Sequence, residues 1–273
     1  YVDLLSAQTD AVSILNKLSE ELAFMRPSLS FTGLESIAYN INRRQKNLKF
    51  FEWGKTYSKR ANKYLENNKL AVFLTGNQHT ESWNMASKAV DFFDLKSVVV
   101  QILEKLNISV TQVQEIESNP IFSKGVIYKH GGKVLVEMGY VSKALLKATD
   151  IKQDVLFADF DADLLLELYS NTSKYSEISK FPEVRRDLSL VLDASVTFEH
   201  IKELALKTER KILSDINVFD VYDGKHIESG KKSYSISFTL LDKEQTLTDQ
   251  AIDSTMNKLM QVFEKELNTT IRK

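Results

Sequence analysis

The sequence predicts an α+β chain in two parts: a mainly antiparallel sheet module over residues 1–170 and a small βαββαβ domain over residues 181–273, joined by a linker at 171–180. Three observations predict it. In the first part, strand-like and helix-like apolar periodicities mix without a regular βαβ rhythm. Between Tyr169 and Lys180 the chain turns polar and Ser-rich (Ser170-Asn-Thr-Ser-Lys-Tyr-Ser-Glu177), the composition of a linker. After it, strand, helix, strand, strand, helix and strand follow in that order, the split-βαβ arrangement of ferredoxin-like domains.

In the first part, Val12, Leu15, Leu18 and Leu22 stand near helical spacing, so a partly helical start is expected up to Arg26-Pro27, where proline disfavours continuation. The start is abrupt, as in a piece of a longer protein. Leu34, Ile37, Ala38 and Ile41 mark an amphipathic helix over Thr32 to Arg44, its other face filled by Asn40, Asn42, Arg43 and Arg44. The aromatic-rich run Leu48 to Tyr57 and the run Leu70 to Leu74 predict strands, the second ending at Gly76-Asn77. Val90 to Asp94 leads into a helix carrying Val98, Val99, Ile102, Leu103 and Leu106. Gly125 to Val136 predicts a hairpin, because Gly131-Gly132 can supply the positive φ angles of a tight turn. Val155 to Phe160 predicts a last strand before the run Leu164-Leu165-Leu166.

In the second part the expected elements are strand Asp187 to Leu192, helix Thr197 to Thr208, strands Ile212 to Tyr222 and Ser233 to Leu241, helix Thr248 to Glu266 and strand Thr269 to Arg272. Thr197 and Thr248 stand at the two helix N-caps, and Asp249 suits a first turn. Successive strand residues point to opposite sides. Alternation therefore sends Leu188, Leu190, Leu192, Phe219, Val221, Tyr234, Ile236, Phe238 and Leu240 towards the helices. Asp187, Ser189, Asp220, Tyr222, Ser233, Ser235, Ser237 and Thr239 go to a face that helices cannot cover in this topology. A polar open face with a ring, bordered by Arg186, Lys231 and Lys232, suits an unstacked base: the ring stacks while carboxylate and hydroxyls meet base edges. A merely solvated antiparallel sheet has the same polar exterior, and other domains of this topology dimerise or bind metabolites there.

Composition limits the function classes. The 273 residues carry no cysteine, which removes disulfides and thiolate chemistry and fits a cytoplasmic location. No run approaches the roughly 18 apolar residues of a membrane helix, so no membrane role is expected. The net charge is −1, with 22 Lys+Arg against 21 Asp+Glu before Phe181 and 14 against 16 from it onward. Bulk charge thus argues against general nucleic-acid binding, and any RNA contact must be local.

No catalytic or metal-binding set emerges. The nine glycines form no GxGxxR pattern, and the corresponding stretch is Gly139-Tyr140-Val141-Ser142-Lys143. Arg26, Arg43 and Arg44 could be offered to phosphates but suit solvated helix ends equally. Asp159, Asp161 and Asp163 lack the glycine and the distal acid of a calcium loop, Leu164 and Ser170 standing there instead. His79, His130, His200 and His226 are too far apart for a zinc helix.

Five strings in the last part, Phe181-Pro182-x-x-x-Arg186-Asp187-Leu188-Ser189-Leu190, Phe219-Asp220-Val221-Tyr222, Gly230-Lys231-Lys232-Ser233, Thr246-Leu247-Thr248-Asp249 and Ile271-Arg272, resemble the ferredoxin-fold anticodon-binding domain of phenylalanyl-tRNA synthetases. In the first part, Arg26-Pro27-Ser28-Leu29, Gly33-Leu34-Glu35, Asn40-x-Asn42-Arg43, Leu48 to Gly54 and Val90 to Lys96 resemble the catalytic-like, inactive module of the bacterial β subunit, a class II synthetase-like antiparallel sheet. The resemblance implies that Asp220, Tyr222 and Ser233 stand where that domain holds the first anticodon base, with Tyr222 stacking on it. It further implies a tRNA-binding and structural role beside a catalytic α subunit in an (αβ)₂ assembly that charges tRNA-Phe with phenylalanine. ATP and magnesium would serve the whole enzyme, with no cofactor in this segment. The helix near Thr32 to Arg44 would contribute to the contact with the α subunit. The alternative left by the residues alone is a free-standing ferredoxin-like regulatory module that binds a small metabolite or dimerises through its open face.

Overall fold

A computed structural model describes residues 10–17, 19, 23–61, 63–117, 119–172, 175, 177–224 and 227–272. The chain divides into two compact units, Tyr1–Ser173 and Lys174–Lys273.

The first unit is built on a six-stranded antiparallel sheet, in the order β1 (Leu48–Arg60), β2 (Lys63–Thr75), β6 (Val155–Asp161), β5 (Lys133–Val141), β4 (Phe122–His130) and β3 (Gln112–Ile116). Both faces are covered. On one side, Val72, Leu74, Leu156, Ala158 and Phe160 pack under α2 (Phe92–Lys105) and α4 (Ala162–Leu168) through Leu95, Val99, Leu103, Leu164 and Leu165. On the other, Ala71, Phe73, Val155 and Phe157 meet α1 (Ser30–Ile41) and α3 (Lys143–Ala148) through Phe31, Leu34, Ile37, Leu145 and Leu146. A strand buried on both sides needs apolar residues at consecutive positions, which is why β2 and β6 show runs rather than alternation.

Local chemistry sets the helix starts. Asp91 caps α2 in a reciprocal box with Asp94, its carboxylate accepting from the Phe93 and Asp94 amides at 2.9 and 3.2 Å. Ser142 caps α3 and Asp161 caps α4. Gly131 and Gly132, with φ of 54° and 82°, turn β4 into β5 as the sequence predicts.

The structure corrects the expectation of a helix before Arg26. Ser13 pairs with Phe24 in an antiparallel bridge, the Ile14 amide donates to the Ala23 carbonyl at 2.9 Å, and Leu15 is 98% exposed. Apolar residues at helical spacing make a helix only when one surface buries them together, and Leu15 has none. Leu18 and Leu22 lie outside the described residues. The strand expected over Leu70 to Leu74 begins at Lys63, because Lys63–Asn68 pairs with β1 alone and carries no burial signal.

In the second unit, β7 (Val184–Asp193), β8 (Leu213–Tyr222), β9 (Lys231–Leu240) and β10 (Thr270–Arg272) form an antiparallel sheet in the order β10-β7-β9-β8. With α5 (Phe198–Thr208) and α6 (Asp249–Leu267) this is the ferredoxin-like order read from the sequence. Thr197 and Thr248 cap the two helices, as expected. Leu190, Leu192, Ile236, Phe238 and Leu240 are buried against Ile201, Ala205, Ile252, Leu259 and Phe263.

Candidate nucleic-acid interface

Because α5 and α6 share one core, the other face of the small sheet carries no helix of this unit. Its residues follow from the register. Ser233 stands between Val191 on β7 and Tyr222 on β8, Ser235 between Ser189 and Asp220, Ser237 between Asp187 and Asn217, and Thr239 between Arg185 and Asp215. Cross-strand partners point to the same side. Asp220, Tyr222 and Ser233 therefore meet on the open face, Tyr222 directly opposite Ser233 and Asp220 one pair further along β9. Hydroxyls line the middle of the sheet: Ser189 and Ser235 lie 3.4 Å apart, and the Ser237 hydroxyl donates to the Asn217 carbonyl at 3.3 Å.

Tyr222 is 41% exposed, and its ring lies over Gly224 so closely that a Cβ there would stand 2.4 Å from the phenol oxygen. Gly224 thus backs the ring. The ring packs against Gly224 on one side while Tyr222 stays partly exposed.

The basic residues divide. Lys231 pairs with Asp193 in register, on the open side, and holds Glu228 at 2.7 Å; that ammonium keeps the Glu228 carboxyl below its usual range. Arg186 and Lys232 pair with Phe238 and Leu192, on the helix side, so the structure corrects their expected place at the border of the open face. Lys232 donates to the Ala194 carbonyl at 2.7 Å and lies 4.8 Å from the Tyr234 ring centroid. The alternation that puts Asp187 and Ser189 on the open face puts Arg185 there with them and Arg186 on the other side. Phe219 and Val221 are corrected as well: they are 50% and 55% exposed rather than packed under the helices. Val221 stands opposite the half-buried Tyr234 at the strand end. Phe219 is displaced by a bulge, since Val218 pairs with Ile236 while Asp220 pairs with Ser235.

Several of the residues considered for phosphate or metal chemistry have structural occupations. Arg26 donates to Glu52 at 2.6 Å and to the Lys55 carbonyl at 2.7 Å, and the Arg43 guanidinium lies 3.4 Å over the Tyr39 ring centroid. Asp161 caps α4, whereas Asp163 accepts from the Asn68 amide and side chain at 2.8 and 2.6 Å. His130 meets the Ser109 carbonyl at 2.7 Å; His79 and His200 are exposed, and His226 lies outside the described residues.

The family model described as the phenylalanyl tRNA synthetase beta chain CLM domain matches residues 1–162, and that of the ferredoxin-fold anticodon binding domain matches residues 179–272. The chain belongs to the phenylalanyl-tRNA synthetase β-chain family. It is 42% identical to the phenylalanine–tRNA ligase beta subunit of Bacteroides thetaiotaomicron over 96% of this chain and 33% of that one. Against the beta subunit of Porphyromonas gingivalis the identity is 36%, over 96% of this chain and 34% of the relative. The chain thus spans about a third of the length of the curated relatives it matches. The pyrrolysyl-tRNA synthetase of Desulfitobacterium hafniense aligns with 59% of this chain and 53% of its own at a TM-score of 0.44 and 17% identity. That likeness is too slight to carry an argument. Within the β-chain family, the expectations of an α+β chain with antiparallel sheets and a ferredoxin-fold anticodon-binding domain hold.

Proposed function

We propose that this chain is the tRNA-binding and structural part of phenylalanine–tRNA ligase, which charges tRNA-Phe with phenylalanine together with a catalytic α subunit in an (αβ)₂ assembly in the cytoplasm. The observation that carries the reading is the convergence of Asp220, Tyr222 and Ser233 on the open face of the domain matched as anticodon-binding. A base stacks on the Tyr222 ring, its edge meets the Asp220 carboxylate and the Ser233 hydroxyl, and Lys231 supplies positive charge at the same end of β9. Arg186 and Lys232, on the helix side of the two central strands, take no part in this cluster.

The unit before the linker is the catalytic-like, non-catalytic module, and the Ser-rich stretch 171–180 joins it to the anticodon-binding domain. ATP and magnesium belong to the α subunit's chemistry: the pairing of Arg26 with Glu52 and the stacking of Arg43 on Tyr39 do not fit a triphosphate site in this chain. The exposed side of α1, with Glu35, Ser36 and Tyr39, suits a contact with the α subunit.

Titration of the purified chain with the tRNA-Phe anticodon stem-loop, against a loop with another anticodon and at two salt concentrations, tests the reading. Preference for the cognate loop that weakens as salt rises is the expected result. Equal binding of both loops removes anticodon reading from this face.

A further inference from the structure

A large apolar ring stands among the serines and carboxylates of the open face, put there by the second of two irregularities in β8, the shift between Val218 and Asp220. Ile216 and Val218 keep the helix-side phase of the strand, and Val221 resumes it opposite Tyr234. The extra residue between Val218 and Asp220 shares the place of Asp220 opposite Ser235, so Phe219 turns out of the core and is left half exposed. It is not alone there. The Arg185 guanidinium lies 5.1 Å from the Phe219 ring centroid, and Asp187 fixes it by accepting from Nε at 2.8 Å and Nη2 at 3.3 Å. That carboxylate pushes the Arg185 pKa up, and neither of the two contacts uses Nη1. Leaving half of a phenylalanine in water forgoes burial that the same residue would gain one position earlier. Its neighbours give it an aromatic face and a positive charge, the pair of features that takes a nucleotide's base and phosphate.

We propose that Phe219 and Arg185 form a second nucleotide subsite next to the Tyr222 position. The base of the loop nucleotide adjacent to the one on Tyr222 stacks on Phe219, and the free edge of Arg185 meets its phosphate. The proposal rests on the anticodon reading above and adds a second base to it. Asp220 and Tyr222 are two positions apart, about 7 Å of strand. One splayed nucleotide step therefore bridges the two rings.

Anticodon stem-loops carrying 2-aminopurine at successive loop positions, titrated with the wild-type chain and with Tyr222→Ala, Phe219→Ala, Phe219→Leu and Arg185→Gln variants, test it. The wild type should change the fluorescence at two adjacent positions, and Phe219→Ala should abolish the change at one of them only. Phe219→Ala and Phe219→Leu should each weaken binding roughly 5- to 150-fold, because leucine retains apolar bulk but offers no π-face. Arg185→Gln should lower the salt slope by about 0.7, the share of one single-strand phosphate contact. Thermal unfolding of each variant checks that the fold is retained. Normal binding by both Phe219 variants beside weak binding by Tyr222→Ala overturns the second subsite and leaves the first standing. Loss of self-association in the Phe219 variants with unchanged RNA binding overturns it in favour of a protein contact. Failure of the wild-type chain to bind any loop removes both.

Discussion

Asp159 Oδ2 lies 3.7 Å from Lys69 Nζ on the α1 face of the large sheet, while Asp159 Oδ1 is buried and has no hydrogen-bond partner among the described residues. Glu137 stands directly opposite Asp159 on β5. Burial pushes the Asp159 carboxyl up to about 6; Lys69 pulls it down and Glu137 pushes it further up. The native chain therefore keeps this proton over an interval, from about 4 to about 6, in which the unfolded chain has released it. Stability falls as pH rises through that interval, by an amount on the order of 2–3 kcal/mol, and this group contributes no further change above it. Asp159→Asn should flatten the slope between pH 4 and 6. Trp53 and Trp83 both lie in the first unit, so denaturant unfolding followed by tryptophan fluorescence reads it. A variant with the wild-type slope would show that Asp159 titrates as an ordinary carboxylate.

Gly33→Ala sets two effects against each other. Alanine in a helix interior gains about 1 kcal/mol over glycine. A Cβ on Gly33, however, would stand 2.1 Å from the Phe73 ring, and that ring cannot move aside: it is 1% exposed and stacked on Phe157 at 4.7 Å, which is itself stacked on Phe122 at 5.6 Å. Overpacking typically costs about 1–3 kcal/mol and here should prevail. The expected net result is destabilisation of the first unit, seen as a lower denaturation midpoint at unchanged slope. A midpoint at or above the wild-type value would mean that α1 shifts outward without loss.

Leu190→Ala should destabilise the small domain by about 2–5 kcal/mol, since Leu190 is fully buried among Ile236, Ile252 and Leu259 and its removal leaves a cavity. Hydrogen exchange of β9 peptides locates the loss: protection there should fall while that of β2 and β6 is unchanged. Unaltered protection of β9 would reverse the assignment of the two faces.

Leu190 was legible because β7 alternates without interruption, and the same alternation gave the correct sides of Asp220, Tyr222 and Ser233. It failed at Phe219 because a bulge changes the phase in mid-strand, and period-two reasoning carries the error as far as the next correction. One trace of it was present: Val218-Phe219 is a consecutive apolar pair in a strand that otherwise alternates as Ile216, Val218 and then Val221. Arg185 and Arg186 were separable by the same alternation, which carried back from Asp187 and Leu188 puts Arg185 on the open face and Arg186 on the helix side, as the pairing with Thr239 and Phe238 has it. The arm Lys63–Asn68 and the edge strand β3 were missed for another reason. Their hydrogen bonds are satisfied by one neighbour and they bury little, so their composition is that of a loop.

Gly224 supplies the most selective test of the stacking surface. Tyr222→Ala removes the ring and should weaken stem-loop binding by roughly 1–3 kcal/mol while leaving the fold intact, but it also removes the phenol oxygen and its contacts. Gly224→Ala keeps every atom of Tyr222 and displaces the ring, because the new methyl would stand 2.4 to 2.8 Å from its outer atoms. Those atoms are the far end of a half-exposed side chain, so the ring swings rather than the backbone, and thermal stability should change little. If pre-positioning of the ring matters, Gly224→Ala loses a large part of the affinity that Tyr222→Ala loses, at an unchanged unfolding temperature. Wild-type affinity in Gly224→Ala beside weak binding in Tyr222→Ala would mean that the ring finds the base from any rotamer, and that the brace from Gly224 is packing alone.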